Sequence, residues 1–166
     1  MVRTFEQQLR ETIAMTLASI LDTVRELVQL LPGDFARIHV PGSDRSLPEL
    51  LRHIAWIPQE EILLLQGKDR EAMRGMLGTP IHSLAEFDAA LMVSLGAFGD
   101  AQQSIDLRAS YRNAAGRELV GYVWLLEAVH HVAHHRSQLF IVVRECGVTV
   151  PASVLERFFM GHLPIV

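Results

Sequence analysis

Apolar residues fall at Phe5, Leu9, Ile13, Leu17, Ile20, Leu21, Val24, Leu27, Val28 and Leu31, in steps of three and four. That period gathers them on one helical face, so residues 3–31 are predicted to form a long amphipathic helix that Pro32-Gly33 ends. The stretch to Asp44 is rich in turn formers and reads as a loop, too long for a minimal turn, crossing one end of the molecule or lining a pocket there. Ser46 and Glu49 have capping-box spacing, with Pro48 tolerated in the first turn, and open a second helix that runs to about Gln66 before Gly67. A short extra helix is expected over 69–77, ahead of Gly78-Thr79-Pro80. Ser83 and Glu86 repeat the capping-box spacing and open a third helix to about Ser104. Residues 105–117 read as irregular or as a short strand. A fourth helix covers roughly 118–146 and stops near Gly147, and a short helix follows Pro151. Four long helices without an alternating strand pattern predict an all-α four-helix bundle, as one domain over residues 1–166.

Composition narrows the class. With 166 residues, 49% of them hydrophobic, the chain can bury one substantial core but is short for two domains. A formal charge of −4 with scattered arginines gives no broad basic surface, so nucleic acid is not expected as a partner. Charged residues interrupt the apolar pattern of the N-terminus, which does not look like a signal peptide, and no apolar run approaches membrane-spanning length. Cys146 is the single cysteine, so no internal disulfide can form and a reducing, cytoplasmic setting is expected. Cys146 itself reads as a small buried hydrophobe.

The chemistry concentrates in one segment. Between Glu127 and Gln138, inside the fourth helix, four of the eight histidines occupy six consecutive positions. Histidines four apart on a helix stand one above the other, about 6 Å between Cβ atoms, so two imidazoles can share one ion. Two registers are available. His131 and His135 lie on a stripe with Val120, Trp124, Ala128, Leu139 and Val142, which faces a core. His130 and His134 share a thinner stripe with Val123, Ser137 and Ile141, a flank. The first pair is therefore preferred as ligands, with His53 of the second helix as a third. Three histidines leave a coordination position open, the arrangement of a catalytic rather than a closed structural site.

Other residues receive plainer readings. Glu60 lies two turns beyond His53, Glu127 one turn before His131, and Gln138 on the same side. Each is a candidate to orient a ligand, move a proton or hold a bound water, although solvation or a salt bridge is the plainer reading of both glutamates. Arg136 falls off that face and reads as a structural ion-pair partner. Trp56 and Trp124 read as core or pocket walls, and His39, His82 and His162 as surface or loop residues. Glu127 and His130 form one Glu-x-x-His motif. A ferritin-like dimetal site needs two such motifs and two further glutamates, so it is set aside.

Two segments carry a resemblance: Ser46-Leu47-Pro48-Glu49-Leu50-Leu51-Arg52-His53-Ile54-Ala55, and His131-Val132-Ala133-His134-His135-Arg136-Ser137-Gln138. Together they resemble the DinB/YfiT-like family of metalloenzymes. Its fourth-helix pattern is His, three residues, His, then Arg, Gly and Gln, and this chain departs from it only at Ser137. The order of elements is similar from residue 3 to about 146. The resemblance implies a four-helix bundle, a homodimer, and a divalent metal, zinc or nickel, held by His53, His131 and His135. It also implies a small-molecule substrate and transfer of a low-molecular-weight thiol. The alternative is a non-catalytic metal-binding or stress-associated bundle.

Overall fold

Helix α1 (Phe5–Gln29) starts at Thr4, whose hydroxyl accepts from the Gln7 amide while the Gln7 side chain accepts from the Thr4 amide. This reciprocal cap satisfies two of the donors that a helix start leaves open. Its buried stripe is Ile13, Leu17, Leu21, Val24, Leu27 and Val28. Phe5, counted in the apolar pattern, is 73% exposed, so the buried stripe begins further along. The computed structural model describes residues 3–33, 35–69, 71, 73 and 80–160. The short helix expected over 69–77 falls almost wholly outside these, as does His162.

The loop after α1 contains one 3-10 turn, Phe35–Arg37, and a single antiparallel bridge between His39 and Ser46. Phe35 and Val40 are buried, so the loop packs on the bundle. Helix α2 (Leu47–Leu65) follows, and the Glu49 carboxylate accepts both the amide (2.8 Å) and the hydroxyl (2.7 Å) of Ser46. These bonds hold the Glu49 carboxyl below the usual carboxylate range. Pro58 lies inside α2, where a proline removes one rung of the ladder and bends the helix. Beside it the Gln59 amide donates to the Ser94 hydroxyl at 3.1 Å, and Ser94 is fully buried. The helix closes in a Schellman turn: Gly67 has φ 78°, its amide donates to Leu64, and the Lys68 amide donates to Leu63.

Helix α3 (Leu84–Ser104) is capped by Ser83, whose hydroxyl accepts from Glu86. The predicted box is half formed. The Glu86 carboxylate accepts from the His82 amide at 2.7 Å, one residue earlier than the box requires.

A two-stranded antiparallel hairpin then interrupts the helices, β1 (Ser110–Arg112) with β2 (Glu118–Val120). The fourth helix was expected from 118; those residues are instead the second strand. Tyr111 pairs with Leu119, and Arg112 reaches Glu118 across the pair at 2.5 Å. The connecting turn is held by Asn113, whose side chain accepts from the Arg117 amide at 2.9 Å, and by Gly116 at φ 83°. Helix α4 (Gly121–Glu145) grows directly from β2. Its first amides donate backwards, Gly121 to the Ala109 carbonyl and Tyr122 to the Leu107 carbonyl. Gly121 sits so close to this segment that an added Cβ would lie 2.2 Å from the Asp106 carbonyl oxygen.

Helix α5 (Ala152–Met160) is tied back by Arg157 to Glu26 of α1 and by Arg136 of α4. Arg136 donates to the Phe158 carbonyl at 3.2 Å and lies over the Phe158 ring. The ion pair expected of Arg136 is thus replaced by a carbonyl and a ring.

α2 packs on α3 and α4, and α1 packs on α4 and α3, which closes a ring of four helices. Its centre is filled by fully buried side chains such as Leu17, Leu51, Ile54, Ile57, Phe87 and Leu139. Each such aliphatic side chain contributes about 1.5–3 kcal/mol relative to exposure. The bundle fold predicted from the periodicity is therefore present, with the hairpin as an addition. Among the described residues no helix is long and apolar enough to cross a membrane.

Candidate metal centre

His53 stands in the second turn of α2, on the side of the helix packed against α4. Facing it, α4 presents His131 and His135, one turn apart. The three rings stand against one another, with centroids 4.9 Å apart for His53 and His131, 4.6 Å for His53 and His135, and 5.0 Å for His131 and His135. One ring nitrogen from each lies within 4.8 Å of the other two. His53 Nε2 and His131 Nε2 approach to 3.1 Å. His130 and His134 are exposed, in keeping with the flank stripe, and the His134 ring touches only the edge of the cluster through His135.

The outer nitrogens are occupied. His131 Nδ1 lies 2.8 Å from Glu61 Oε1, and His135 Nδ1 lies 2.6 Å from Gln138 Oε1. Carboxylate and amide oxygens accept, so both Nδ1 atoms carry protons and both Nε2 lone pairs are left for the centre of the cluster. Glu60 Oε2 is 3.5 Å from His53 Nδ1, a looser contact. Burial pushes the His135 imidazole down to about 4, with the neighbouring histidines adding to the effect against the Gln138 hydrogen bond. The neutral ring, the form that ligates, is therefore held at ordinary pH.

This donor set fits a divalent transition ion. Two nitrogens at about 2.1 Å from a tetrahedral centre are about 3.4 Å apart, close to the 3.1 Å found here. Glu60 and Glu61 are both buried, and the side-chain partners found for them are two of these ligand rings. Two carboxylates beside three imidazoles supply the charge that a +2 ion would balance.

Beside the cluster, a cleft of about 750 Å³ opens between the end of α2, the hairpin turn and α4. It reaches the histidines at His131 and Glu61, and Trp124, Arg117 and Glu127 form part of its wall. Trp124 is 2% exposed and donates to the Tyr111 carbonyl, which fixes the wall. Glu127 pairs with Arg117 through two contacts, 2.9 and 3.3 Å. Of the residues singled out from sequence, His53, His131, His135, Glu60 and Gln138 thus come together. Glu127 is drawn to the hairpin in the salt bridge that was its plainer reading, and the carboxylate beside His131 is that of Glu61. Sequence reasoning missed Glu61, because at eight positions after His53 it lies about 80° round the helix from it. The available signal was a second acidic residue inside the apolar run Ile57–Leu65, where a carboxylate needs a partner. Trp56 is half-buried, His39 and His82 are exposed, and Cys146 is half-buried at the end of α4.

No protein-family model matches the chain, and no curated protein does. Solved structures do match. A protein described as a member of the DinB family from Exiguobacterium sibiricum 255-15 superposes with a TM-score of 0.75 at 22% identity, over 88% of this chain and 97% of that one. A DinB-like protein from Bacillus cereus ATCC 10987 gives 0.61 at 19% identity, over 84% and 94%. One from Bacillus subtilis gives 0.62 at 22%, over the same shares. Likeness at such identities is one of architecture: the chain has the DinB-like fold.

Proposed function

We propose that this chain is a metal-dependent enzyme in which His53, His131 and His135 hold one divalent transition ion, zinc or nickel, and act on a small molecule. The observation that carries the reading is the convergence of three imidazoles, two of whose outer nitrogens are already engaged by Glu61 and Gln138. When bound, such an ion supplies an open, Lewis-acidic position that favours the ionised form of a thiol or of water near neutral pH. Transfer of a low-molecular-weight thiol to an electrophile is the reaction class we assign to it.

The chain's own residues divide the remaining work. Burial keeps His135 neutral, Gln138 fixes its ring, and the Glu60 carboxylate stands 3.5 Å from His53 Nδ1. The cleft admits the substrate to the His131 side of the cluster, with Trp124 as a rigid wall and Glu127 facing the incoming molecule.

Metal content tests this. Untagged protein purified without a nickel column is expected to hold about one equivalent of zinc, nickel or a related ion. The His131→Ala His135→Ala variant should fold and lose it. Protein that carries no metal and takes up neither zinc nor nickel when they are added sinks the proposal. A metal-loaded protein that fails to accelerate thiol addition to model electrophiles would remove the transferase assignment and leave a binding module.

A further inference from the structure

Glu61 is the residue at which the cleft and the histidine cluster meet. It is 7% exposed, its Oε1 lies 2.8 Å from His131 Nδ1, and it also lines the cleft. Its neighbour Glu60 stands 3.5 Å from His53, so the two consecutive carboxylates serve different rings on different helices. The contrast in distance matters. At 2.8 Å a carboxylate accepts a full hydrogen bond, whereas 3.5 Å lies outside that range.

An imidazole that donates from Nδ1 presents its lone pair at Nε2, and His131 Nε2 is the atom that faces His53. With the tautomer reversed, an N–H would point into the cluster and the ring could not ligate from that atom. His131 is also the most exposed of the three rings: its side chain is 32% exposed, against 17% for His53, and His135 is buried. Packing alone therefore constrains it least, and a hydrogen bond is what sets its angle. Among the described residues, the group bonded to its outer nitrogen is Glu61.

We infer that Glu61 is a positioning residue, which holds His131 in the Nδ1–H tautomer and turns its Nε2 toward His53 and His135. This rests on the metal reading above only for its consequence, not for the tautomer itself. Glu61 does so from the cleft wall, so a molecule occupying the cleft lies against the group that sets the ligand.

The test uses the full chain and two variants. Glu61→Gln keeps an accepting oxygen, while Glu61→Met keeps the length and removes it. Circular dichroism identifies any variant that fails to fold. In metal-free protein, ¹⁵N shifts of the His131 ring are expected to report the Nδ1–H form in wild type and in Glu61→Gln, and loss of that preference in Glu61→Met. Competition titration with zinc should then place affinity in the order wild type, Glu61→Gln, Glu61→Met, the last weakened about 10–100-fold. The visible bands of the cobalt-loaded protein should shift in Glu61→Met and return toward wild type in Glu61→Gln. An Nε2–H ring in wild type, or unchanged zinc affinity and cobalt bands in a folded Glu61→Met, overturns the inference. Wild type that binds neither zinc nor cobalt overturns the metal reading instead, and the tautomer measurement still decides the role of Glu61.

Discussion

Replacing Gly121 by alanine tests how the hairpin is joined to α4. A Cβ there would sit 2.2 Å from the Asp106 carbonyl oxygen and 3.1 Å from both Ile105 Cγ2 and Tyr111 Cε2. Ordinary carbon–oxygen contacts begin at about 3.3 Å, so the Asp106 segment must retreat by about 1 Å. That segment also supplies the Leu107 and Ala109 carbonyls, which accept from Tyr122 and Gly121 at 3.1 and 2.9 Å. A retreat of that size takes both bonds past hydrogen-bonding range. Two lost hydrogen bonds cost about 0.5–1.5 kcal/mol each, and overpacking adds about 1–3 kcal/mol. Against this stands about 0.5–1 kcal/mol gained by removing a helical glycine. The net expectation is a loss of about 3 kcal/mol, or about 6–12 °C in melting temperature for a chain of this size. Gly99, inside α3 with no atom within 4 Å of its added Cβ, is the control. Gly99→Ala should gain about 0.5–1 kcal/mol by the same substitution. Thermal unfolding followed by circular dichroism compares the two directly. A Gly121→Ala protein that melts at or above wild type would refute the packing argument.

Two other changes probe α2. The Glu49→Ala variant loses the Ser46 cap and should cost about 0.5–2 kcal/mol at neutral pH. Because the folded-state pKa of Glu49 is lowered, its contribution is complete above the ordinary carboxylate value of 4.5 and disappears as the pH falls through the lowered one. Urea unfolding of wild type and variant should therefore converge in acid, and a gap that persists to pH 2 contradicts the assignment. Ser94→Ala strips the hydroxyl that accepts the Gln59 amide beside Pro58 and should cost about 1–3 kcal/mol in the same assay. Stability within about 0.5 kcal/mol of wild type would show that the amide finds another acceptor.

The bundle was legible because helical period is a local property. The stripe from Ile13 to Val28, the Ser46–Glu49 cap and the glycine stops at Gly67 and Gly147 are all written within a few residues. So was the choice of His131 and His135 over their neighbours, which needs only the angle between positions on one helix. The hairpin was legible only in part: a short strand was among the readings of 105–117, where β1 lies, but its partner β2 was read as the start of α4. Its strands are three residues each, and Leu119 and Val120 continue the apolar pattern of α4 without a break. What separates them is a turn built by Asn113 and Gly116 and the lack of room at Gly121. Glu61 was hidden for another reason. A wheel drawn for α2 alone favours Glu60, while the partner of Glu61 stands on α4, and the meeting of two helices is not written in either one. Arg136 is a third such case, since its acceptor is the backbone of α5.

His53 and His131, whose Nε2 atoms stand 3.1 Å apart, are 78 positions apart in sequence. An ion shared by His53 and His131 would therefore be a cross-link, closing a loop that spans most of α2, all of α3, the hairpin and the start of α4. Joining distant points of a chain removes freedom chiefly from the unfolded ensemble, and longer loops lose more. With Cys146 alone, the chain has no cysteine pair with which to make such a link covalently. An ion held by the three imidazoles would be a staple that forms only when the fold is complete and that a chelator could withdraw.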